Sequence, residues 1–142
     1  MAARCPSGWR TYGNRCYKLV ETKANWYTAK SRCEQYGAHL LSITNGDESK
    51  FIEGLISNVR KTIVWMGLRK GSRWYWVDGS GVTFLNWFRG EPNNESYMEA
   101  FAKDVNCAGI YTKMAKKWRG WRRLVLDATI VLELDEDGTR SG

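Results

Sequence analysis

The tripeptide Glu91-Pro92-Asn93 sets a carboxylate and a side-chain amide two positions apart around a proline, just after Leu85-Asn86-Trp87. Facing one way, the two side chains offer oxygens to a metal. A hard cation such as calcium takes about six to eight oxygen ligands, and a sugar diol can supply a pair of them while hydrogen bonding to the same carboxylate and amide. The rest of the residue inventory argues against catalysis. His39 is the single histidine; with no second His and no reactive Cys setting it reads as structural or exposed, and nucleophilic triads go unsupported. Glu91 and Glu99 could imitate the spaced carboxylates of a glycosidase only by accident. There is no Gly-rich phosphate loop, no zinc spacing and no nucleic-acid motif. Asp135-Glu136-Asp137-Gly138 has part of the composition of a calcium loop but the wrong ligand spacing, and reads as a solvated tail. The chain is expected to be a non-enzyme.

A length of 142 residues fits one domain with a real core. Eight Trp and seven Tyr suit a compact β-rich binding module, most of the indoles being structural. The net charge of +7, from 22 Lys and Arg against 15 Asp and Glu, favours anionic partners at long range. Lys113, Lys116, Lys117, Arg119, Arg122 and Arg123 crowd together with Trp118 and Trp121. Such a run is by default a solvated loop or an edge strand, and the alternative is a strip for an anionic partner. No apolar run approaches the about 20 residues that span a bilayer. Met1-Ala2-Ala3-Arg4 lacks the apolar segment of a leader, so either a leader was removed or none existed. Asn94-Glu95-Ser96 would accept a glycan in a secretory setting.

Elements that could position these residues follow from periodicity. Cys5 and Cys16 bracket a hairpin-like segment turning at Gly13-Asn14, with Cys16 to Val20 as its second strand. Asn25 caps a helix whose apolar residues are Trp26, Ala29, Cys33 and Tyr36, and Gly37 ends it. Asn45 caps a second, with Glu48 three residues on as in a capping box and a stripe of Phe51, Ile52, Leu55 and Ile56. Strands are expected over Ile63 to Leu68 and over Arg73 to Val77, with Trp74 and Trp76 on one face and Tyr75 on the other. Asp78 to Gly81 is a turn, and Val82 to Leu85 a short strand. Trp87 to Asn106 shows no clean period and reads as a long loop, a length that usually signals function or disorder. Cys107 to Tyr111 and Thr129 to Leu134 close the domain. There is no internal repeat.

The landmarks Cys5-Pro6-Ser7-Gly8-Trp9, Cys16-Tyr17, Trp26 to Cys33, Gly37-Ala38-His39-Leu40, Trp65-Met66-Gly67-Leu68, Trp74 to Ser80, Trp87 and Glu91-Pro92-Asn93 resemble, in that order and spacing, the C-type lectin-like domain. The resemblance implies an α+β fold over residues 5–134, two helices flanking antiparallel strands with a long ligand loop, followed by a polar tail over 135–142. In that family a Glu-Pro-Asn site, with its proline bond cis, binds calcium and mannose-type sugars. Carried over, it implies Glu91 and Asn93 as metal and sugar ligands, with Glu99, Asn106 and Trp118 around them. The sequence departs from the family at the Trp-Asn-Asp motif: Trp118 matches, but Arg119 and Gly120 replace the amide and the acid. A unit charge about 4 Å away repels another by roughly 4 kcal/mol at an intermediate dielectric, and a divalent ion doubles that. The calcium site is therefore expected to be weakened or lost. Either Arg119 folds onto Glu91 in place of the ion, or it points to solvent; exposed ion pairs contribute only about 0–1 kcal/mol, which favours solvent.

Four cysteines allow three pairings. In the family, Cys33 and Cys107 would each have a partner, but Leu132 and Leu124 stand at those places. The expectation is one Cys5–Cys16 bridge and two buried, inert thiols; a Cys33–Cys107 bond comes second and an intermolecular bond third. The resemblance implies an extracellular carbohydrate-binding module for glycans or glycoproteins. The competing reading is a calcium-independent module that binds protein or an anionic glycan surface through the strip from Lys113 to Arg123. Ice or mineral binding occurs on the same fold, and nothing in this sequence singles it out.

Overall fold

Asparagines start both helices in the computed structural model, which describes residues 5–59, 63–87, 105–111, 117–122 and 128–134. Helix α1 (Trp26–Gln35) is capped by Asn25, whose side chain accepts a hydrogen bond from Thr28 N at 2.8 Å. It buries Trp26, Ala29 and Cys33. Its end is a Schellman motif: Gly37, at φ 71°, donates to Glu34 O and Ala38 donates to Cys33 O. A glycine fits there because left-handed backbone costs it little. Helix α2 (Gly46–Leu55) starts at Asn45, which accepts from Glu48 N at 2.8 Å. Glu48 reaches back one residue beyond the usual box, accepting from Thr44 N at 2.9 Å, and its other oxygen accepts from Tyr17 Oη at 2.6 Å. That second bond explains why a charged residue is buried on this helix: both carboxylate oxygens are occupied.

The strands are β1 (Arg10–Tyr12), β2 (Arg15–Ala24), β3 (His39–Leu40), β4 (Ile63–Lys70), β5 (Trp74–Trp76), β6 (Val105–Tyr111), β7 (Lys117–Arg122) and β8 (Ala128–Leu134). Among the described residues they form one sheet along the path β1-β2-β8-β4-β6-β7, with β3 added on β8 and β5 on β4. All these pairs are antiparallel except β4 with β8, which run parallel, Val64 opposite Thr129. The antiparallel reading thus holds for every pair but one at the centre, where the last described strand inserts between β2 and β4. Strand β2 runs on past Val20 through a register irregularity to Ala24. Val82 to Leu85, expected as a strand, is irregular: no partner strand among the described residues is registered to it, and Val82 and Leu85 are exposed. Alternation without a neighbour to hydrogen bond makes no ladder.

The core lies on both sides of the sheet. One cluster joins α1 to β4 through Trp26, Cys33, Leu40, Trp65 and Cys107; the other joins α2 to the sheet through Ile52, Ile56, Val64, Leu68, Trp76 and Trp118. Two indoles tie elements together. Trp26 Nε1 donates to Met66 O at 2.8 Å, and Trp65 Nε1 to Ala24 O at 2.9 Å.

Cys5 and Cys16 are bonded, while Cys33 and Cys107 remain thiols and are fully buried. Burial pushes the Cys33 thiol far above its ordinary range, with the Glu34 charge adding to it, so no thiolate forms near neutral pH. Titration with a thiol reagent is expected to count no reactive thiol in the folded protein and two after denaturation without reductant. Zero under denaturing conditions would mean a second bond.

Candidate functional site

His39, Ser42, Asp78 and Ser80 form a largely buried polar cluster at the turn after β5. Ser42 Oγ donates to Asp78 Oδ2 at 2.6 Å, Ser80 N donates to Asp78 Oδ1 at 2.8 Å, and His39 Nδ1 lies 3.7 Å from Oδ2. Gly79, at φ 88°, allows the turn that brings Ser80 back onto the carboxylate. Burial by itself would raise the Asp78 carboxyl, but the hydrogen bonds from Ser42 and Ser80, with the nearby imidazole, hold it below its ordinary value. The stabilisation is complete above the ordinary aspartate pKa of about 3.9 and drains away as pH falls through the lower folded value. Acid titration of stability is therefore expected to show a loss below about pH 4 that Asp78→Asn flattens. His39 is thus a buried structural residue, not an exposed one.

This turn leads to the residues that frame the long loop. Trp74 and Trp87 pack with ring centroids 5.0 Å apart, and Trp118 makes edge contacts with Trp76 at 5.7 Å, Phe84 at 5.9 Å and Trp87 at 5.9 Å. Trp118 is fully buried. Its ring belongs to the hydrophobic floor, so in this structure it offers no face to a ligand.

Backbone pairing ties both ends of the loop to β7. Trp87 bridges Trp118 in parallel, with Trp118 N donating to Asn86 O at 2.9 Å, and Val105 pairs with Arg122. Trp118 and Arg122 are four positions apart, about 13 Å along a strand. Arg119, Gly120 and Trp121 thus lie between the two feet of the loop, Arg119 opposite Gly109 and Gly120 opposite Ala108. Asn106 sits at a register irregularity between Val105 and Cys107, a place where strands commonly re-aim a residue. Sequence reading allowed this run as an edge strand, and β7 ends the sheet path; what it did not give was the strand's role in anchoring both ends of the loop. Glu91, Asn93 and Glu99 fall outside the described residues, as do Asn94, Lys113, Lys116 and Arg123. Of the basic strip, Lys117, Arg119 and Arg122 belong to β7.

The wall between the loop's feet reads Trp-Arg-Gly-Trp-Arg and carries no side-chain oxygen. It does not fit a tightly held hard cation, whose ligands, about six or more oxygens, would have to come from the loop, Asn106 and the bound sugar. Among the described residues no group of three or more His, Cys, Asp or Glu side chains converges on a metal position. None of the described helices is long and apolar enough to cross a membrane.

The family model described as "Lectin C-type domain" matches residues 22–123. The C-type lectin lectoxin-Lio3 of Erythrolamprus poecilogyrus is 42% identical over 111 residues, 74% of this chain and 69% of that protein. Among solved structures, the mouse scavenger receptor C-type lectin carbohydrate-recognition domain superposes with a TM-score of 0.81 at 26% identity, covering 94% of this chain and 100% of that one. A calcium-independent type II antifreeze protein superposes with a TM-score of 0.79 at 25% identity, covering 95% and 97%.

Proposed function

Since the chain belongs to the C-type lectin domain family, we propose that it is an extracellular, non-enzymatic carbohydrate-binding module whose ancestral calcium site on the long loop is weakened or lost. The observation that supports this most is the anchoring of both loop ends on β7 around Arg119 and Gly120. The segment between Trp87 and Val105 contains the Glu91-Pro92-Asn93 tripeptide, and the strand that anchors its two ends has Arg119 and Gly120 where the resemblance calls for oxygen donors. Glu91 and Asn93 remain as the donors and acceptors for vicinal sugar hydroxyls, with Glu99 and Asn106 beside them. Calcium, when bound, would bridge such hydroxyls to the protein; without it the carboxylate and amide hold the sugar by hydrogen bonds alone, at lower affinity. The related scavenger receptor domain, described as carbohydrate-recognising, supports the glycan reading. The Cys5–Cys16 bridge supports an oxidising compartment.

A second reading has its own support. Lys117, Arg119 and Arg122 lie in the terminal strand of the sheet path, and a structural relative is described as calcium-independent. On this reading β7 and its flanks bind protein or an anionic glycan by charge. One glycan panel separates the two, run with calcium, with chelator and with rising salt. Binding of neutral mannose-type glycans that resists salt and disappears in Glu91→Gln/Asn93→Ala supports the loop site. Binding confined to anionic glycans, steeply weakened by salt and indifferent to chelator, supports the strip.

A further inference from the structure

The β4–β5 hairpin has two faces. Leu68, Lys70, Trp74 and Trp76 share one, since Leu68 pairs with Trp76 and Lys70 with Trp74; its indoles pack against Trp87 and Trp118. Arg69 pairs with Tyr75 on the opposite face, beside the first turn of α1. There the Arg69 guanidinium packs against two rings, 4.9 Å from the Trp26 centroid and 4.7 Å from that of Tyr27, and donates to Tyr27 Oη. Among the described residues Arg69 makes no ion pair. Tyr27 and Tyr75, the latter paired with Arg69 across the hairpin, are 44% and 45% exposed.

A guanidinium stacks on the rings of the first two residues of a helix whose first turn contains no acidic residue to neutralise it. The fork is held in place by stacking, so little rotamer entropy remains to be lost when it binds. Arg73, exposed at the hairpin end, adds to the same field. An anionic group would meet a preorganised bidentate donor, and the half-exposed tyrosines supply flat apolar faces with hydroxyl tips. A sulfate or carboxylate carried on a pyranose ring uses both features, whereas a bare anion uses only one.

We propose that Tyr27, Arg69 and Tyr75 form a second saccharide site, for a uronate or sulfated sugar residue, on the hairpin face opposite Trp74 and Trp76. It is independent of calcium and of Glu91 and Asn93, and stands even if the loop binds no sugar.

The test follows backbone amide shifts by NMR, in chelator, as D-glucuronate, N-acetylglucosamine 6-sulfate, N-acetylglucosamine and sodium sulfate are titrated into the whole chain. At least one anionic sugar is expected to shift Tyr27, Arg69 and Tyr75 with a Kd about tenfold or more below those of the neutral sugar and of sulfate; which one binds identifies the anionic group. Arg69→Gln should weaken it about tenfold, Arg69→Lys less, and Tyr75→Ala several-fold, with melting temperature checked for each. Lys113→Gln/Lys116→Gln/Arg123→Gln should leave these shifts intact. The proposal is overturned if no anionic sugar outbinds N-acetylglucosamine, if sulfate alone binds as tightly, if a folded Arg69→Gln or Tyr75→Ala binds like the parent, or if only the strip variant loses the signal.

Discussion

Trp118→Ala is expected to destabilise the domain by about 3–5 kcal/mol, a large share of the about 5–15 kcal/mol that holds a typical domain together. The indole is fully buried against Trp76, Phe84 and Trp87, so truncation leaves a large cavity amid rings that are themselves held in place. The effect also reaches function, because residue 118 carries one foot of the long loop. Denaturant unfolding measures the first consequence. The second appears as lost glycan binding under conditions in which the variant is still folded. Trp118→Phe, which keeps an aromatic surface, should cost distinctly less; equal costs would mean that the indole is not the keystone of this floor.

Gly109→Ala is the next largest, an overpacking loss expected at the upper end of the usual about 1–3 kcal/mol. Strand β6 pairs with β4 here, Gly109 opposite Trp65, and a methyl group at position 109 would collide with Ile63 Cγ2 and lie 3.2 Å from Val64 O. The side chain could rotate away, but the backbone carbonyl of a central strand cannot. Gly54, exposed in α2 with nothing within 4 Å of an added methyl group, is the internal control. Replacing it with alanine should stabilise by about 0.5–1 kcal/mol, because the helical backbone loses less entropy on folding. Equilibrium unfolding of both variants checks the pair, and similar signs for the two would contradict the close approach of β6 to β4.

The parts of the fold legible in the sequence were those with local causes. Asn25 and Asn45 cap their helices, Gly37 closes the first, and Trp74, Tyr75 and Trp76 alternate as written. What escaped depended on distant partners. The parallel pairing of β8 with β4 has no local signature, because its two strands are far apart in the sequence. Val82 to Leu85, read as a short strand, has no partner strand among the described residues. The polar residues Glu21 to Lys23 hid the continuation of β2, which runs exposed there before Ala24 turns inward. The site divides in the same way. Its oxygen donors and the departures at Arg119 and Gly120 could be read as a motif, but the placement of those two residues between the loop's feet needed the register of β7 against both Trp87 and β6.

The loss of two expected cysteine partners fits this frame. Leu132, at one of those positions, pairs in register with Leu40 of β3, and Cys33 packs in the same cluster as Leu40. Cys33 is left as a small buried hydrophobe in that cluster.

On the proposed reading, exchanging an amide and an acid for Arg119 and Gly120 removed tight calcium binding from an otherwise intact frame. Calorimetric titration of calcium into the parent chain and into Arg119→Asn/Gly120→Asp measures this directly. The prediction is a negligible or weak heat signal for the parent and a clear single-site isotherm for the double variant. Tight binding by the parent, or none by the variant while it remains folded, would contradict it.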